Sequence, residues 1–237
     1  EMYATATDST SGNNRRISTE PFTNYNMIVL DQSLRNNSNI SISNTNVWRR
    51  AAKDEKYYTA NVTATEFRLQ NKSRLFSLTG TAALSQKYFN SDNTDYGHSY
   101  GMRFGKTGGQ FRIEYDINAI SDTYDPNDMG YLKRNNEFNN SLIFSYNRNK
   151  PFWKIQSIRN SVTYIYQQLF NPRVFTGNTI SISSFSLFMN YWSFNVRGDF
   201  SPQGINDYYE PRVFGRYYHI GRQFKGTISF DTNKNRI

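Results

Sequence analysis

The sequence predicts an all-β protein, and more closely a transmembrane antiparallel up-and-down β-barrel of the outer-membrane type. Three observations predict it: strict alternation of apolar and polar side chains in residues 110–119, recurrence of that alternation along the chain, and connections that are short and long in turn. Side chains leave a strand on alternate faces, and a membrane barrel needs an apolar outside and a polar inside. We expect about 12–13 strands, forming part of a larger barrel.

Residues 110–119 (QFRIEYDINA) show the alternation most clearly. The same pattern returns in residues 192–200. We predict that the apolar sets face lipid: Phe111, Ile113, Tyr115, Ile117, Trp192, Phe194 and Val196. We predict that the opposite sets face the lumen: Arg112, Glu114, Asp116, Arg197 and Asp199. Lumen-facing charges either tune the selectivity of a pore or pair across strands, and the sequence leaves both open.

The remaining strands follow from the same alternation, since a tilted strand of about 9 to 11 residues crosses a bilayer. In chain order the predicted strands are residues 2–7, 22–34, 39–48, 60–65, 76–85, 100–104, 142–146, 162–166, 180–182, 214–222 and 224–231. Several of these segments carry aromatic residues at their ends, as the interfacial girdles of a barrel do. Aromatic residues are also common in strands of every kind.

The predicted connections form two sets. The short ones are residues 35–38, 70–73, 107–109, 189–191 and 223, with 147–156 as a longer member. The long ones are residues 49–56, 87–96, 122–136, 171–177 and 201–211, and they hold most of the acidic residues. Outer-membrane barrels have short periplasmic turns and longer extracellular loops. The alternation of short and long connections therefore predicts which end of the barrel faces outward.

Composition excludes several classes of protein. Aromatic residues make up 16% of the chain, which is too many for a disordered protein. Cysteine is absent, so thiolate metal sites and cysteine nucleophiles are excluded. The net charge of +9 is spread along the chain rather than gathered on one basic face. We therefore expect the partners to be outer-membrane lipid and lipopolysaccharide, with no nucleic acid.

Residues 121–130 (SDTYDPNDMG) resemble the barrel region of a Bacteroidota outer-membrane family known as domain of unknown function 5916. Supporting segments lie in the expected order at residues 20–25 (EPFTNY), 44–49 (NTNVWR), 105–107 (GKT) and 208–212 (YYEPR). The resemblance implies an outer-membrane location and no established activity. Members typically carry an N-terminal domain similar to carbohydrate-binding module family 9. We expect residues 1–237 to be barrel region alone, with that domain and the terminal strands absent, so a glycan is implied only as context.

One loop holds a candidate metal site. Asp122, Asp125, Asn127 and Asp128 place several oxygen ligands close together, as a hard cation such as calcium prefers. Their spacing is not that of an EF-hand loop. Asp, Asn and Pro are also turn formers whose side chains cap the local backbone, and this accounts for the same residues without calcium. We expect no other cofactor.

No catalytic residues are predicted. His98 and His219 lack an acidic partner at a fixed spacing, so no triad can be assigned. The glycine-rich residues 105–109 lie between two strands, whereas a phosphate-binding loop joins a strand to a helix. We expect a non-catalytic outer-membrane protein that acts in transport as a channel, as an anchor for a glycan-binding domain, or as a subunit of an envelope transport or secretion assembly. The alternatives are a secreted β-sandwich adhesin and an outer-membrane hydrolase.

Overall fold

The computed structural model describes residues 22–50, 58–89 and 93–232, together with the backbone of residues 2–7 and 14–20. The strands are β1 (Met2–Thr7), β2 (Asn14–Glu20), β3 (Thr23–Leu34), β4 (Ser38–Arg49), β5 (Tyr58–Gln70), β6 (Phe76–Phe89), β7 (Thr94–Lys106), β8 (Phe111–Ile120), β9 (Glu137–Arg148), β10 (Ile155–Leu169), β11 (Phe175–Phe188), β12 (Ser193–Ser201), β13 (Ile205–Asp207), β14 (Tyr218–Ile220) and β15 (Gln223–Asp231). The described residues contain no helix, and so none long and apolar enough to span a membrane.

Thirteen of the strands form one antiparallel sheet, and β1 pairs with β2 in a separate sheet of two strands. Strands β3 to β12 are neighbours in chain order, and β15 pairs with the far side of β12. The short strands β13 and β14 branch from β11, where Gly177 pairs with Ile205. Within the described residues β3 and β15 each pair on one side, so the sheet is not closed. The predicted all-β, antiparallel, up-and-down architecture is confirmed.

Several local predictions were wrong. The connection predicted at residues 171–177 is shorter, because β11 begins at Phe175, and the connection predicted at residues 201–211 contains the short strand β13. Residues 87–96 do not form a long connection, because β6 continues to Phe89 and β7 begins at Thr94. The turn-forming composition of residues 90–93 suggested a loop, yet the pairing continues as far as Tyr88 with Thr94. Residues 214–222 do not form a full strand either. Only Tyr218–Ile220 is extended, since Gly215 has a φ of +75° that breaks the extended backbone. Most of the predicted connection 49–56 lies outside the described residues.

The connections alternate between the two ends of the sheet, and the two longest lie at the same end, but residues 170–174 at that end form a connection no longer than residues 149–154 at the other end. The turn end carries residues 35–37, 71–75, 107–110, 149–154 and 189–192. The loop end carries residues 121–136, 170–174 and the segment from 202 to 222. At the turn end Asn36 and Asn37 both have positive φ, at 60° and 59°. Positive φ at both central residues is the mark of the type I′ hairpin turn.

The register of pairing gives the sheet one apolar face. An unbroken row of apolar residues crosses nine strands: Leu69, Leu78, Phe104, Tyr115, Leu142, Tyr164, Ile180, Phe200 and Phe224. Six members of this row are 40–76% exposed. A second layer of structure would bury such side chains. The described residues therefore leave this face uncovered.

The opposite face is polar. The row next to the apolar one contains Gln70, Ser77, Gly105, Glu114, Ile143, Thr163, Ser181, Asp199 and Lys225. Few apolar side chains are buried anywhere in the described residues; the buried ones are Val47, Ala60, Ala119, Tyr124 and Leu169. Val47 and Ala60 pair with each other on the polar face of β4 and β5. The sheet therefore encloses no large hydrophobic core, and a single loop covers part of its polar face.

Candidate functional site

Residues 121–136, here called the crossing loop, join β8 to β9 at the loop end and bend over the polar face. The loop approaches β7 so closely that a Cβ added at Gly97 would lie 2.3 Å from the Cα of Tyr124. The backbone N–H of Asp125 donates to Oγ of Ser85 on β6 at 3.1 Å. A glycine at position 97 and a small residue at position 85 thus let the loop lie directly on the sheet.

A cluster of charges fastens the crossing loop to β4, β5 and β6. This cluster, the Asp128 cluster, consists of Arg49, Tyr58, Lys87, Asp125 and Asp128. Oδ1 of Asp128 accepts from Nη2 of Arg49 at 2.7 Å and from the hydroxyl of Tyr58 at 3.0 Å. Nζ of Lys87 donates to Oδ2 of Asp125 at 2.6 Å. Both cations lie over the Tyr58 ring, each 5.0 Å from its centroid.

The cluster is partly desolvated. The Asp128 side chain is only 8% exposed, and its Oδ2 atom has no hydrogen-bond partner among the described residues. Nζ of Lys87 lies 3.6 Å from that atom, which is an ion-pair distance but too long for a hydrogen bond. Two cations and two carboxylates balance one another here. Removing one partner of such a pair is costly, because the other charge remains buried and uncompensated.

The other side of the crossing loop is tied to the neighbouring loops. Asn136 and Asn171 exchange two hydrogen bonds: the Asn136 amide donates to the Asn171 carbonyl at 2.8 Å, and the Asn171 N–H donates to the Asn136 side chain at 2.7 Å. The hydroxyl of Tyr209 donates to the backbone carbonyl of Asn135 at 2.6 Å. Arg134 lies over the Tyr209 ring at 4.7 Å. The loop is therefore held from both sides of the polar face.

The contacts of these loops shift the pKa values of Asp125 and Tyr209. Burial alone raises the pKa of Asp125, but the hydrogen bonds from Lys87 and from the N–H of Asn127 outweigh burial, and the pKa falls below its ordinary value. Burial, reinforced by the negative charge of Glu137, raises the pKa of Tyr209 to about 12. At neutral pH the first group is charged and the second is neutral. Both states suit the contacts that hold the loop.

The four residues of the predicted calcium loop lie in the crossing loop and have protein partners. Asp125 and Asp128 belong to the Asp128 cluster, and Oδ2 of Asp122 accepts from the Asn171 amide at 3.0 Å. The Asn127 side-chain oxygen accepts from the N–H of Leu132 at 2.7 Å, while Oδ1 of Asp125 caps the N–H of Asn127. Within the described ranges no group of three or more His, Cys, Asp or Glu side chains could hold a metal ion. Calcium binding stays a prediction.

The register groups the charged residues of β8 and β12 on the polar face. Glu114 and Asp199 lie in one row across the sheet, and Arg112 and Arg197 lie in the next row. Asp116 pairs across strands with Arg103, whose Nε donates to its Oδ2 at 2.9 Å. Asp199 also accepts a hydrogen bond from Ser181, its direct partner on β11, so cross-strand pairing is supported for two of the five predicted lumen residues.

The predicted lipid-facing residues of both strands share the opposite, apolar face. Phe111 lies in one row with Val196 through the pairings of β9, β10 and β11. Ile113, Tyr115 and Ile117 lie on the same face as Phe111, and Phe194 lies on the same face as Val196, because residues two apart in a strand share a face. Trp192 precedes β12, and its ring packs edge-on against Phe230 at 5.4 Å. Whether lipid covers this face stays a prediction.

The two histidines and the glycine-rich turn have structural partners. His98 stacks beside Tyr100 on the apolar face, whereas the next residue, Ser99, lies on the polar face. Nδ1 of His219 lies 2.7 Å from the side-chain oxygen of Asn206. In the glycine-rich turn the N–H groups of residues 107 and 108 both donate to the Leu75 carbonyl. This turn is a connection between two strands.

Sequence reasoning missed the partners of the crossing loop. Arg49, Tyr58, Lys87 and Tyr209 were not singled out as site residues, because they are far from the loop in the chain. A signal was nevertheless present: the segments 44–49, 121–130 and 208–212, which carry the family resemblance, each contribute a residue to these contacts. Segments that are separate in the sequence meet at the loop end.

Comparison with known proteins gives one finding. The family model described as Domain of unknown function (DUF5916) matches residues 1–237. Neither the curated proteins nor the solved structures that were compared include a match. The matched range contains the crossing loop, the Asp128 cluster and both faces of the sheet. The chain belongs to the DUF5916 family.

Proposed function

We propose that this sheet is the wall of an outer-membrane β-barrel, with its apolar face in lipid hydrocarbon and its polar face around an aqueous lumen. In this proposal the chain is a non-catalytic channel. The crossing loop narrows the lumen at the loop end, which faces outward, and the turn end faces the periplasm. Lipid and lipopolysaccharide are then the immediate partners of the apolar face.

One observation carries the proposal: the apolar row crosses nine strands, and six of its members are 40–76% exposed. Exposed apolar patches on soluble monomers seldom exceed a few hundred square ångströms. In a bilayer the same face has hydrocarbon as its natural solvent, and the polar rows of the opposite face have water.

Aromatic side chains at the two ends of the apolar face support the same orientation. Near the turn end, Phe111 packs against Tyr146 at 4.8 Å. Near the loop end, Tyr166 packs against Phe175 at 5.6 Å. Trp153, in the turn between β9 and β10, is largely exposed. Barrels carry such aromatic girdles at both membrane interfaces.

In the part of the chain that the structure describes, β3 and β15 are the outermost strands of the main path of the sheet, and this supports a larger barrel. A long unpaired edge invites pairing with another strand, and single-chain bacterial barrels close with an even number of strands. The wall traced by β3 to β12 and β15 therefore closes, in this proposal, by pairing with further strands. The anchor and assembly-subunit roles use the same wall, with the lumen occupied by a partner rather than by water.

The test is reconstitution of the full-length protein. After extraction in detergent it should float with liposomes, resist extraction by urea, and give discrete conductance steps in a planar bilayer. Recovery as a soluble monomer without detergent would contradict the membrane location and favour the adhesin. Stable insertion without conductance would contradict the channel and favour the anchor or subunit role.

A further inference from the structure

A second site lies on the polar face, away from the crossing loop. Near the turn end a groove of about 510 Å³ runs across β9 to β12 and β15. Its lining residues include Arg159, Arg197, Ser161, Ser183 and Asn195. The volume lies within the range of ordinary small-molecule sites, about 300 to 1,000 Å³.

The hydroxyl groups of this groove form an ordered ladder. Ser145, Ser161 and Ser183 are direct partners on neighbouring strands, with Arg112 at one end of the row and Arg197 at the other. Direct partners on antiparallel strands have Cβ atoms about 5 Å apart. The groove floor is therefore a line of neutral hydrogen-bond donors between two positive charges.

Neither arginine is neutralised within the part of the chain that the structure describes. Arg159 and Arg197 are exposed and have no ion-pair or hydrogen-bond partner there. The nearby carboxylates are engaged by serines: Asp199 accepts from Oγ of Ser181 at 2.6 Å, and Asp231 accepts from Oγ of Ser193 at 3.3 Å. Both guanidinium groups are thus free to bind an anion.

The two arginines can reach one ligand. Arg159 pairs with Phe185, which pairs with Asn195, and Arg197 is two residues further along the same strand. With strands about 4.8 Å apart and about 3.3 Å per residue, their α-carbons lie about 12 Å apart. Guanidinium groups bind phosphate and carboxylate with two parallel hydrogen bonds each.

We propose that this groove binds small soluble anions that carry a phosphate or carboxylate group. The arginines hold the anionic group, and the serine ladder and Asn195 donate to its remaining oxygens. Phe185 supplies an apolar surface for the rest of the solute. The proposal goes beyond a channel, because it assigns a saturable site and a class of ligand. It does not require that the apolar face contact lipid.

Titration calorimetry of the full-length protein in detergent tests the proposal, with inorganic phosphate as the probe at constant ionic strength. The wild type should bind phosphate saturably. The double variant R159Q/R197Q should bind at least tenfold more weakly. The control R68Q removes an equally exposed arginine from the polar face outside the groove, and it should change the affinity by less than about twofold, since screening is strong at about 0.15 M salt.

A further variant excludes misfolding as the explanation. D231N removes a carboxylate from the groove and should strengthen phosphate binding about threefold through lost repulsion. Absence of saturable binding to the wild type, or an unchanged affinity in both groove variants, would overturn the proposal. An equal loss in R68Q and R159Q/R197Q would also overturn it, because the attraction would then be diffuse. Failure of the membrane proposal would show in flotation and would leave this titration unaffected.

Discussion

Substitution of Val162 by arginine gives the sharpest test of which solvent covers the apolar face. Val162 is the central residue of β10, which runs from Ile155 to Leu169, and it is 44% exposed. Seven residues separate it from each end of the strand. In the proposed barrel, at about 3.3 Å per residue and a tilt of about 40°, each end would be about 18 Å away along the membrane normal. The proposal therefore places Val162 at the centre of an apolar band about 25 Å tall.

Arginine at the midplane of a barrel costs about 2 to 4 kcal/mol. V162R should therefore lower the ratio of folded to unfolded protein by about 30- to 700-fold, since about 1.4 kcal/mol is a factor of ten. The matched control is T163R. Thr163 is the next residue and lies on the polar face between Ile143 and Ser181. The free energy of unfolding of T163R should therefore differ from that of the wild type by less than about 1 kcal/mol.

The assay is reversible unfolding in denaturant with lipid vesicles present, followed by tryptophan fluorescence. The informative quantity is the difference in the free energy of unfolding between V162R and T163R, because both variants introduce the same side chain one residue apart. If V162R and T163R shift the free energy of unfolding equally, the apolar face does not contact hydrocarbon. A loss confined to T163R would place lipid on the opposite face.

Three further predictions concern the crossing loop and the topology. Replacing Gly97 with valine should displace the crossing loop and raise the single-channel conductance. The control Gly130→Ala should leave the conductance unchanged, because the nearest neighbour of its added Cβ is 3.8 Å away. Equal conductance in the two variants would contradict the packing of the loop on Gly97. The conductance should be constant between about pH 5 and 8 and should rise below about pH 4. Asp125 has a lowered pKa in the folded protein, so its charged form stabilises the attachment of the crossing loop above its ordinary pKa. This stabilisation is lost as the pH falls through the folded pKa. An unchanged conductance below about pH 4 would contradict a role for the Lys87–Asp125 contact in holding the loop. A cysteine replacing Tyr131, which is 86% exposed, should label from outside intact cells while one replacing Lys72 should not, and the reverse pattern would invert the topology.

Much of the fold could be predicted from the sequence, because strand alternation is a local property. Side chains of neighbouring residues leave opposite faces whatever the rest of the chain does, so QFRIEYDINA fixes the composition of both faces of β8. Strand ends were less predictable. Asn, Ser and Asp at residues 90–93 are typical of a long loop, but the pairing of β6 with β7 extends to Tyr88 and Thr94. Here cross-strand hydrogen bonding outweighed local turn preference.

The candidate site was predicted only in part. The sequence singled out the acidic residues of the crossing loop as possible calcium ligands, with capping of a turn as the alternative. In the structure, Oδ1 of Asp125 caps the N–H of Asn127, which is a turn-capping contact. Their cationic partners were not predicted. Arg49 is 79 residues away from Asp128 in the chain, and Lys87 is 38 residues away from Asp125. No spacing rule connects positions so far apart.

The sequence by itself determined that this protein is a sheet with one apolar face and one polar face, because period-two alternation needs no knowledge of distant residues. Only the tertiary structure decided that residues 121–136 fold over the polar face. That placement depends on the space left by Gly97, on the charges of Arg49 and Lys87, and on the hydroxyl of Tyr58, which lie on three other strands. These are long-range geometric conditions, and a linear pattern does not contain them.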